Sequence, residues 1–201
     1  SEEEILNDNL SAVLSAAQGK FTPVFKLVES DDIKKIYKAD NNSGYVFVVG
    51  DEFVAIDNSG KVISDASEKA KTTVEEVANK QLNETVTEID ISNLSNMPTQ
   101  VEKAYKTSSG NYVFDLRAAG FGINGDAYYN PSGEYINIKV SVTADGKILA
   151  CETVSQAESD GIGSACGDSS FYSQFNGKDE TSYSEIDAIS GATVTTNGYK
   201  T

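Results

Sequence analysis

Ile136-Asn137-Ile138-Lys139-Val140-Ser141-Val142-Thr143 alternates β-branched apolar residues with polar ones, and Asp145-Gly146 follows almost at once. Strict alternation turns one face of an extended segment toward a core and the other toward water. Asp-Gly after such a segment is a hairpin turn, so Ile148 to Val154 reads as the returning strand. This hairpin decides the class: α+β, built on antiparallel sheet with helices packed against it. Outward from it, Phe53 to Asp57, a turn at Asn58-Ser59-Gly60 and Lys61-Val62-Ile63 read as a second hairpin. Strand pieces around Ile36-Tyr37 and Tyr45-Val46-Phe47-Val48-Val49 flank the turn-rich Asp40-Asn41-Asn42-Ser43-Gly44. Residues 67–83, with Val74, Val77 and Leu82 on one side, have helical spacing. Residues 3–18, with Ile5, Leu6, Leu10, Val13, Leu14 and Ala17 ahead of Gly19, do as well. Ser92 to Gln100, with Met97-Pro98, reads as a linker.

The two halves echo one another. Val101-Glu102-Lys103-Ala104-Tyr105-Lys106 follows Ile33-Lys34-Lys35-Ile36-Tyr37-Lys38, and Tyr112-Val113-Phe114 follows Tyr45-Val46-Phe47. Val140-Ser141-Val142-Thr143-Ala144-Asp145-Gly146-Lys147-Ile148 follows Val54-Ala55-Ile56-Asp57-Asn58-Ser59-Gly60-Lys61-Val62. Preserved order and spacing point to an internal duplication. The alternative is that hairpins with similar turns between β-branched residues resemble one another without common origin. The division expected is residues 1–98, an N-terminal helix and a degenerate first repeat, and residues 99–201, the half that carries the chemistry. Residues 155–187 hold little periodicity apart from the aromatic cluster Phe171, Tyr172 and Phe175, which marks a long functional or disordered connection.

Composition limits that chemistry. The chain has 201 residues, 39% hydrophobic and 23% charged, as in folded domains rather than disordered ones. A net charge of −15 opposes nucleic-acid binding and docking on an anionic membrane, and favours a cationic partner. The absence of histidine removes Ser-His-Asp and Cys-His catalysis and imidazole metal ligation. Two cysteines, Cys151 and Cys166, are too few for a four-thiolate zinc or iron–sulfur site in one chain. No apolar run approaches the roughly 20 residues of a membrane span. The acidic residues scattered through 152–187 lack the alternation of a calcium loop and read as a solvated face. Carboxylate acid–base work, a borrowed cofactor, or no chemistry remain. A hydrolase built on Glu158 or Asp160 requires a deep cleft and a raised carboxylate pKa.

Near the C-terminus stands Asp187-Ala188-Ile189-Ser190-Gly191-Ala192-Thr193-Val194-Thr195. Small and hydroxyl residues around a glycine leave backbone N–H groups open, the local chemistry of a phosphate cradle if a helix begins there. Ser190 or Thr193 as a simple helix cap is the plainer reading. Its company favours the cradle. The stretch resembles, position by position, the flavinylation motif of the FMN-binding domain family: Asp, two variable residues, Ser/Thr-Gly-Ala-Thr. Glu158-Ser159-Asp160-Gly161-Ile162-Gly163 resembles that family's Glu-Thr-Pro-Gly-Leu-Gly loop, and also follows a hairpin. Phe175-Asn176-Gly177-Lys178, Gly120-Phe121-Gly122 and Tyr112-Val113-Phe114 fall where the family has comparable segments. The resemblance covers residues 101–201 well and 1–100 loosely, so residues 99–201 are expected to form the FMN-binding domain.

The resemblance implies FMN as cofactor, joined to Thr193 through a phosphoester made by a separate flavin transferase. Ser190, Gly191, Ala192 and Val194 would surround the phosphate, with Asp187 as the motif's acid. Gly161 and Gly163 would admit the isoalloxazine, Ile162 would lie on its face, and Glu158 and Ser159 would supply polar contacts. Asp160 replaces the family's proline, so the loop is less rigid here. The family further implies an electron carrier rather than a free-standing enzyme. Its members include the covalent-flavin components of two membrane redox complexes, the Rnf ferredoxin:NAD oxidoreductase and the sodium-translocating NADH:quinone reductase (Nqr). Such a component sits on the extracytoplasmic face of the bacterial cytoplasmic membrane, held by an N-terminal anchor, in contact with the other members of its complex. A surface lipoprotein or binding module of the same fold is the alternative. In that oxidising setting Cys151 and Cys166 have two readings: a disulfide closing the glycine loop, or two unpaired thiols with Cys151 a small core residue.

Overall fold

The computed structural model describes residues 20–201, so the helix expected over residues 3–18 lies outside the described residues. The chain forms two units, divided between Glu84 and Thr85. The first is an antiparallel sheet of β1 (Phe21–Val24), β2 (Ile33–Ala39), β3 (Gly44–Val49) and β4 (Glu52–Asp57), in that spatial order. Helix α1 (Glu68–Asn83) follows it. The Ser67 side chain caps α1 by accepting from Ala70 N–H at 3.2 Å, and Glu52 in turn accepts from the Ser67 hydroxyl at 2.6 Å. Val74, Val77 and Ala78 pack with Ile36, Phe47, Val54 and Ile56 into one core. The alternate strand residues Tyr37, Val46 and Ala55 belong to a second cluster on the other face.

The second unit is a five-stranded antiparallel sheet of β5 (Val86–Ile89), β6 (Val101–Thr107), β7 (Tyr112–Ala118), β8 (Ile136–Val142) and β9 (Ile148–Ser155), again in chain order. The unit begins ahead of residue 99 because Val86–Ile89, a strand without an apolar signal of its own, pairs with β6. Three helices complete it: α2 (Phe121–Asn124), α3 (Ser169–Tyr172) and α4 (Thr193–Lys200). The segment from 156 to 192 is a chain of turns and short helices, tied to β9 by several hydrogen bonds. Gly177 N–H donates to the Ile148 carbonyl at 2.7 Å, and Cys151 N–H donates to the Asn176 side chain at 2.9 Å. Phe171, Phe175, Ile186 and Tyr199 then cover the face formed by Ile136, Ile138, Val140 and Cys151.

The two sheets repeat one another in register. Ile36 pairs with Phe47 and Ala104 with Phe114; Tyr45 pairs with Ile56 and Tyr112 with Val142. β1 meets β2 at Phe21–Ala39 and Val24–Ile36, as β5 meets β6 at Val86–Thr107 and Ile89–Ala104. The bulge between Ile33 and Lys35 recurs between Val101 and Lys103. Turn chemistry proves a poor criterion by comparison. The side chain of Asp57 accepts from Lys61 N–H, that of Thr107 from Asn111 N–H and that of Thr143 from Lys147 N–H, each at 3.0 Å. By strand pairing the first-sheet counterpart of Thr107 is Ala39, which has no side-chain oxygen to accept with, so such turns recur for local reasons. The likeness of the two sheets lies in register and bulge.

Candidate functional site

Glu158 organises the site. It follows β9 and is buried, and its carboxylate accepts from Phe121 N–H at 2.8 Å and Gly122 N–H at 2.9 Å. The buried Thr195 hydroxyl donates to the same carboxylate. One side chain therefore joins the β7–β8 connection, the β9 connection and helix α4. Close packing depends on glycine here: a Cβ on Gly163 would meet Thr195 Oγ1 at 2.6 Å, and one on Gly122 would meet the Glu134 carbonyl oxygen at 2.4 Å.

Helix α4 is seated by the residues that recur on its inner face. Thr195 reaches Glu158, and a Cβ on Gly198 would stand 2.3 Å from the Ala119 carbonyl oxygen. Tyr199 stacks edge-on against Phe171, with ring centres 5.1 Å apart. Thr196 accepts from Ile189 N–H at 3.1 Å and donates to the Ala192 carbonyl at 2.9 Å, which closes the turn before the helix. Thr193, the first helical residue, and Val194 face outward. The residue before them, Ala192, has no side chain able to cap the first turn, so the backbone N–H groups of that turn stay open toward any anion placed there. Gly191, at φ +74°, makes the left-handed step into the helix that a larger residue resists.

A cleft of about 320 Å³ opens beside this helix start, lined by Phe121, Tyr129, Ser159, Ile162, Gly163 and residues 191–195. Of the residues singled out in the sequence, the fold brings Ser159, Ile162, Gly163, Gly191, Ala192, Thr193 and Val194 into one wall. Asp187, Ser190, Gly161 and Glu158 are not in that lining. Asp187 is exposed and held through its N–H by Gln174 at 2.9 Å, and the Glu158 carboxylate is engaged by the connections below the cleft. Ala192 N–H is also engaged, donating to the Ile189 carbonyl at 3.0 Å. Thr195 and Tyr129 are additions from the structure. Thr195 is detectable in the sequence only as the second threonine of Thr193-Val194-Thr195, whereas Tyr129 lies in a stretch without periodicity.

The disulfide reading of Cys151 and Cys166 is corrected: both are free and buried. The Cys151 thiol faces the Tyr199 hydroxyl at 3.6 Å. Thr153 donates its single proton to the Cys166 carbonyl at 2.6 Å, so the Tyr199 hydroxyl, 2.8 Å away, donates to Thr153. The cysteines are thus members of the core under α4, not a staple on the loop. Burial pushes both thiols up to about 12, and burial likewise raises the Tyr199 phenol.

Residues 133–201 match the family model of the FMN-binding domain. No curated protein matches the chain significantly. The matched segment runs from just before β8 through α4 and contains the cleft wall of Ser159 to Thr195, so this part of the chain is an FMN-binding domain and FMN is its cofactor. The residues present suit that cofactor. A cleft of this size is at the small end of ligand sites, its walls are mostly apolar, and an uncapped helix start lies at its edge for the phosphate. Phe121 and Tyr129 complete the cleft from outside the matched segment.

Proposed function

We propose that FMN is held covalently on Thr193 and that the chain is an electron carrier of a membrane redox complex of the Rnf or sodium-translocating NADH:quinone reductase type. The observation that supports the attachment point is a division of labour among three threonines in one helix. Thr195 and Thr196 are buried, and their hydroxyls are committed to Glu158 and the Ala192 carbonyl. Thr193 is exposed and lines the cleft, and its hydroxyl is not committed to a partner among the described residues. Its Oγ is the one that a transferase can reach.

FMN supplies one- and two-electron chemistry when bound. The chain supplies position and environment. The uncapped first turn of α4 and its positive end hold the phosphate. Ile162 and Phe121 present apolar surface, and the Glu158 bonds fix the two connections that carry them. No acidic residue lines the cleft among the described residues, an arrangement that suits an electron carrier better than a carboxylate hydrolase. In this reading the domain works on the extracytoplasmic face of the membrane, held by an N-terminal anchor. The net charge of −15 on the whole chain suits a cationic docking partner within the complex. A second reading, a surface lipoprotein with one flavin unit and one binding unit, draws support from the first sheet, which repeats the scaffold without the Ser-Gly-Ala-Thr run.

The test is co-production with a flavin transferase, followed by intact mass and in-gel fluorescence after denaturation. The wild type should gain one FMN phosphoester and Thr193→Ala none. An adduct retained in Thr193→Ala moves the attachment site. An unmodified wild type, with a known substrate domain labelled in parallel, refutes the covalent reading.

A further inference from the structure

Tyr128 and Tyr129 are 86% and 69% exposed, the most exposed large hydrophobic side chains among the described residues. Exposure of that degree forgoes the burial of roughly 150–250 Å² that an aromatic side chain can contribute. Neither residue belongs to a core cluster. Yet the backbone beneath them is held at several points. Asp126 caps the short 3-10 turn by accepting from Tyr128 N–H at 2.8 Å with its side chain and from Tyr129 N–H at 3.0 Å with its carbonyl. Asn130 closes the turn in the left-handed region at φ 52°, its N–H donating to the Ala127 carbonyl at 3.1 Å. The two rings meet edge to face, with centres 5.2 Å apart and planes at 88°. Tyr129 is therefore a presented ring whose backbone and neighbour restrain it, and it lines the same cleft as Ile162, Val194 and Thr193.

We infer that Tyr129 is a flavin-contacting residue: its ring covers the isoalloxazine in the cleft, and Tyr128 buttresses it from outside. The inference rests on the proposal that FMN is carried on Thr193, and it adds a group that lies outside the residues matching the family model. A planar heterocycle entering from Thr193 passes along a wall whose large exposed apolar groups are Ile162, Val194 and Tyr129. Two rings line the cleft, the half-buried Phe121 and the exposed Tyr129, and Tyr129 is the one with a face left uncovered; offset or edge contact between aromatic rings adds to area burial. Two consequences follow. A phenol ring in contact with an excited flavin donates an electron to it and receives it back, so emission is quenched. An electron-rich ring that also excludes water favours the oxidised flavin over the more electron-rich reduced form, so the midpoint potential is lowered.

The experiment compares flavinylated wild type, Tyr129→Ala, Tyr129→Phe and Tyr128→Ala, each checked for one FMN by intact mass and for fold by circular dichroism. Flavin emission yield, emission lifetime and midpoint potential are then read. Tyr129→Ala should emit several-fold more than wild type, with a higher midpoint potential. Tyr129→Phe should restore the potential while leaving emission raised, because phenylalanine contacts the ring but is a poor electron donor. Tyr128→Ala should change both in the direction of Tyr129→Ala, by less. Loaded Tyr129→Ala that matches wild type in emission and potential overturns the inference while leaving the Thr193 attachment intact. A wild type that takes no flavin overturns the attachment, and with it this inference.

Discussion

Replacing Glu158 by glutamine removes a charge and little volume, and the geometry around it sets the cost. The carboxylate takes three donors: Phe121 N–H and Thr195 O–H on one oxygen, Gly122 N–H on the other. An amide keeps one acceptor oxygen and turns an NH2 group toward at least one of these donors. A buried N–H left without a partner costs about 1–3 kcal/mol, and bonds to a charged acceptor are stronger than neutral ones by about 1 kcal/mol each. Against this, the neutral side chain avoids the desolvation of a buried charge. The balance is a loss of about 3 kcal/mol, a substantial share of the roughly 5–15 kcal/mol that holds a domain together. In a unit of this size that lowers Tm by on the order of 10 °C.

The readout that separates this local account from a general loss of stability is amide exchange. In Glu158→Gln the Phe121 and Gly122 amides should exchange faster by about 10²-fold, since each 1.4 kcal/mol is a factor of ten. Amides of the first unit, such as those of β3, should be unaffected. Thr195→Val, which keeps a branched side chain and deletes one donor, should cost about 1–2 kcal/mol. The double variant should be less destabilised than the sum of the two by about 1 kcal/mol, because both remove the same contact. A Glu158→Gln protein within about 0.5 kcal/mol of wild type, or a strictly additive double variant, refutes the idea that this carboxylate joins the three segments.

Other outcomes follow from the same structure. Gly198→Ala gains about 0.8–1 kcal/mol of helix propensity. Its Cβ would stand 2.3 Å from a backbone oxygen that has no rotamer to relax, so calorimetry should show net destabilisation and mass spectrometry reduced flavinylation. Ser67→Ala deletes the cap of α1 and should cost about 1 kcal/mol, read as faster exchange in the first unit with Thr193 loading unchanged. Because Cys151 and Cys166 are free and buried, the native protein should resist a thiol alkylator and take up two equivalents on unfolding; a disulfide would give none. Their raised pKa values mean that the folded state holds those protons more tightly than the unfolded state. The stabilisation is complete below the ordinary thiol range and falls as pH rises from there toward about 12, by about 1.4 kcal/mol per pH unit for the Cys151 thiol. Denaturation at successive alkaline pH values should therefore show a shallower decline in Cys151→Ala than in wild type, and equal slopes would contradict the burial account.

Legibility in the sequence followed the range of the interactions. The hairpin at Ile136–Val154 and helix α1 could be read because alternation and helical spacing are local consequences of one buried face. The antiparallel α+β class followed from them. Val86–Ile89 escaped because an edge strand pairs through its backbone, and all but Ile89 are exposed. The glycine loop and the Ser-Gly-Ala-Thr run could be located because small residues there serve close approach, which composition betrays. What Glu158 does was not legible. Its partners are Phe121 and Gly122, far back along the chain, and Thr195 ahead of it, so only the fold shows that its carboxylate is spent on structure. The sequence left two readings of the cysteines open for the same reason, and only the fold sets the Cys151 thiol in the core against Tyr199.

The repeated sheets explain where a cofactor cleft can come from. β1 to β4 and β5 to β8 share order, pairing and the position of a bulge, yet the described cofactor cleft belongs to the second unit. The difference lies in two connections. In the first unit β3 passes to β4 through residues 50 and 51, and the bridge at Val62 is followed closely by α1 at Glu68. In the second, β7 reaches β8 through residues 119–135, and β9 reaches α4 through residues 156–192. Phe121 and Tyr129 come from the first of these insertions; Ser159, Ile162, Gly163, Gly191 and Ala192 come from the second. The sheet supplies a rigid base and each insertion supplies one side of the cleft, with Glu158 bonding one to the other. Loops carry function when a scaffold fixes their ends, and here the ends are fixed twice, by strand register and by a buried carboxylate. Shortening the β7–β8 connection to its first-unit length should abolish flavin loading, read by intact mass, while leaving the sheet's circular dichroism intact, because the side chains that cover the sheet, Phe171, Phe175, Ile186 and Tyr199, lie outside it.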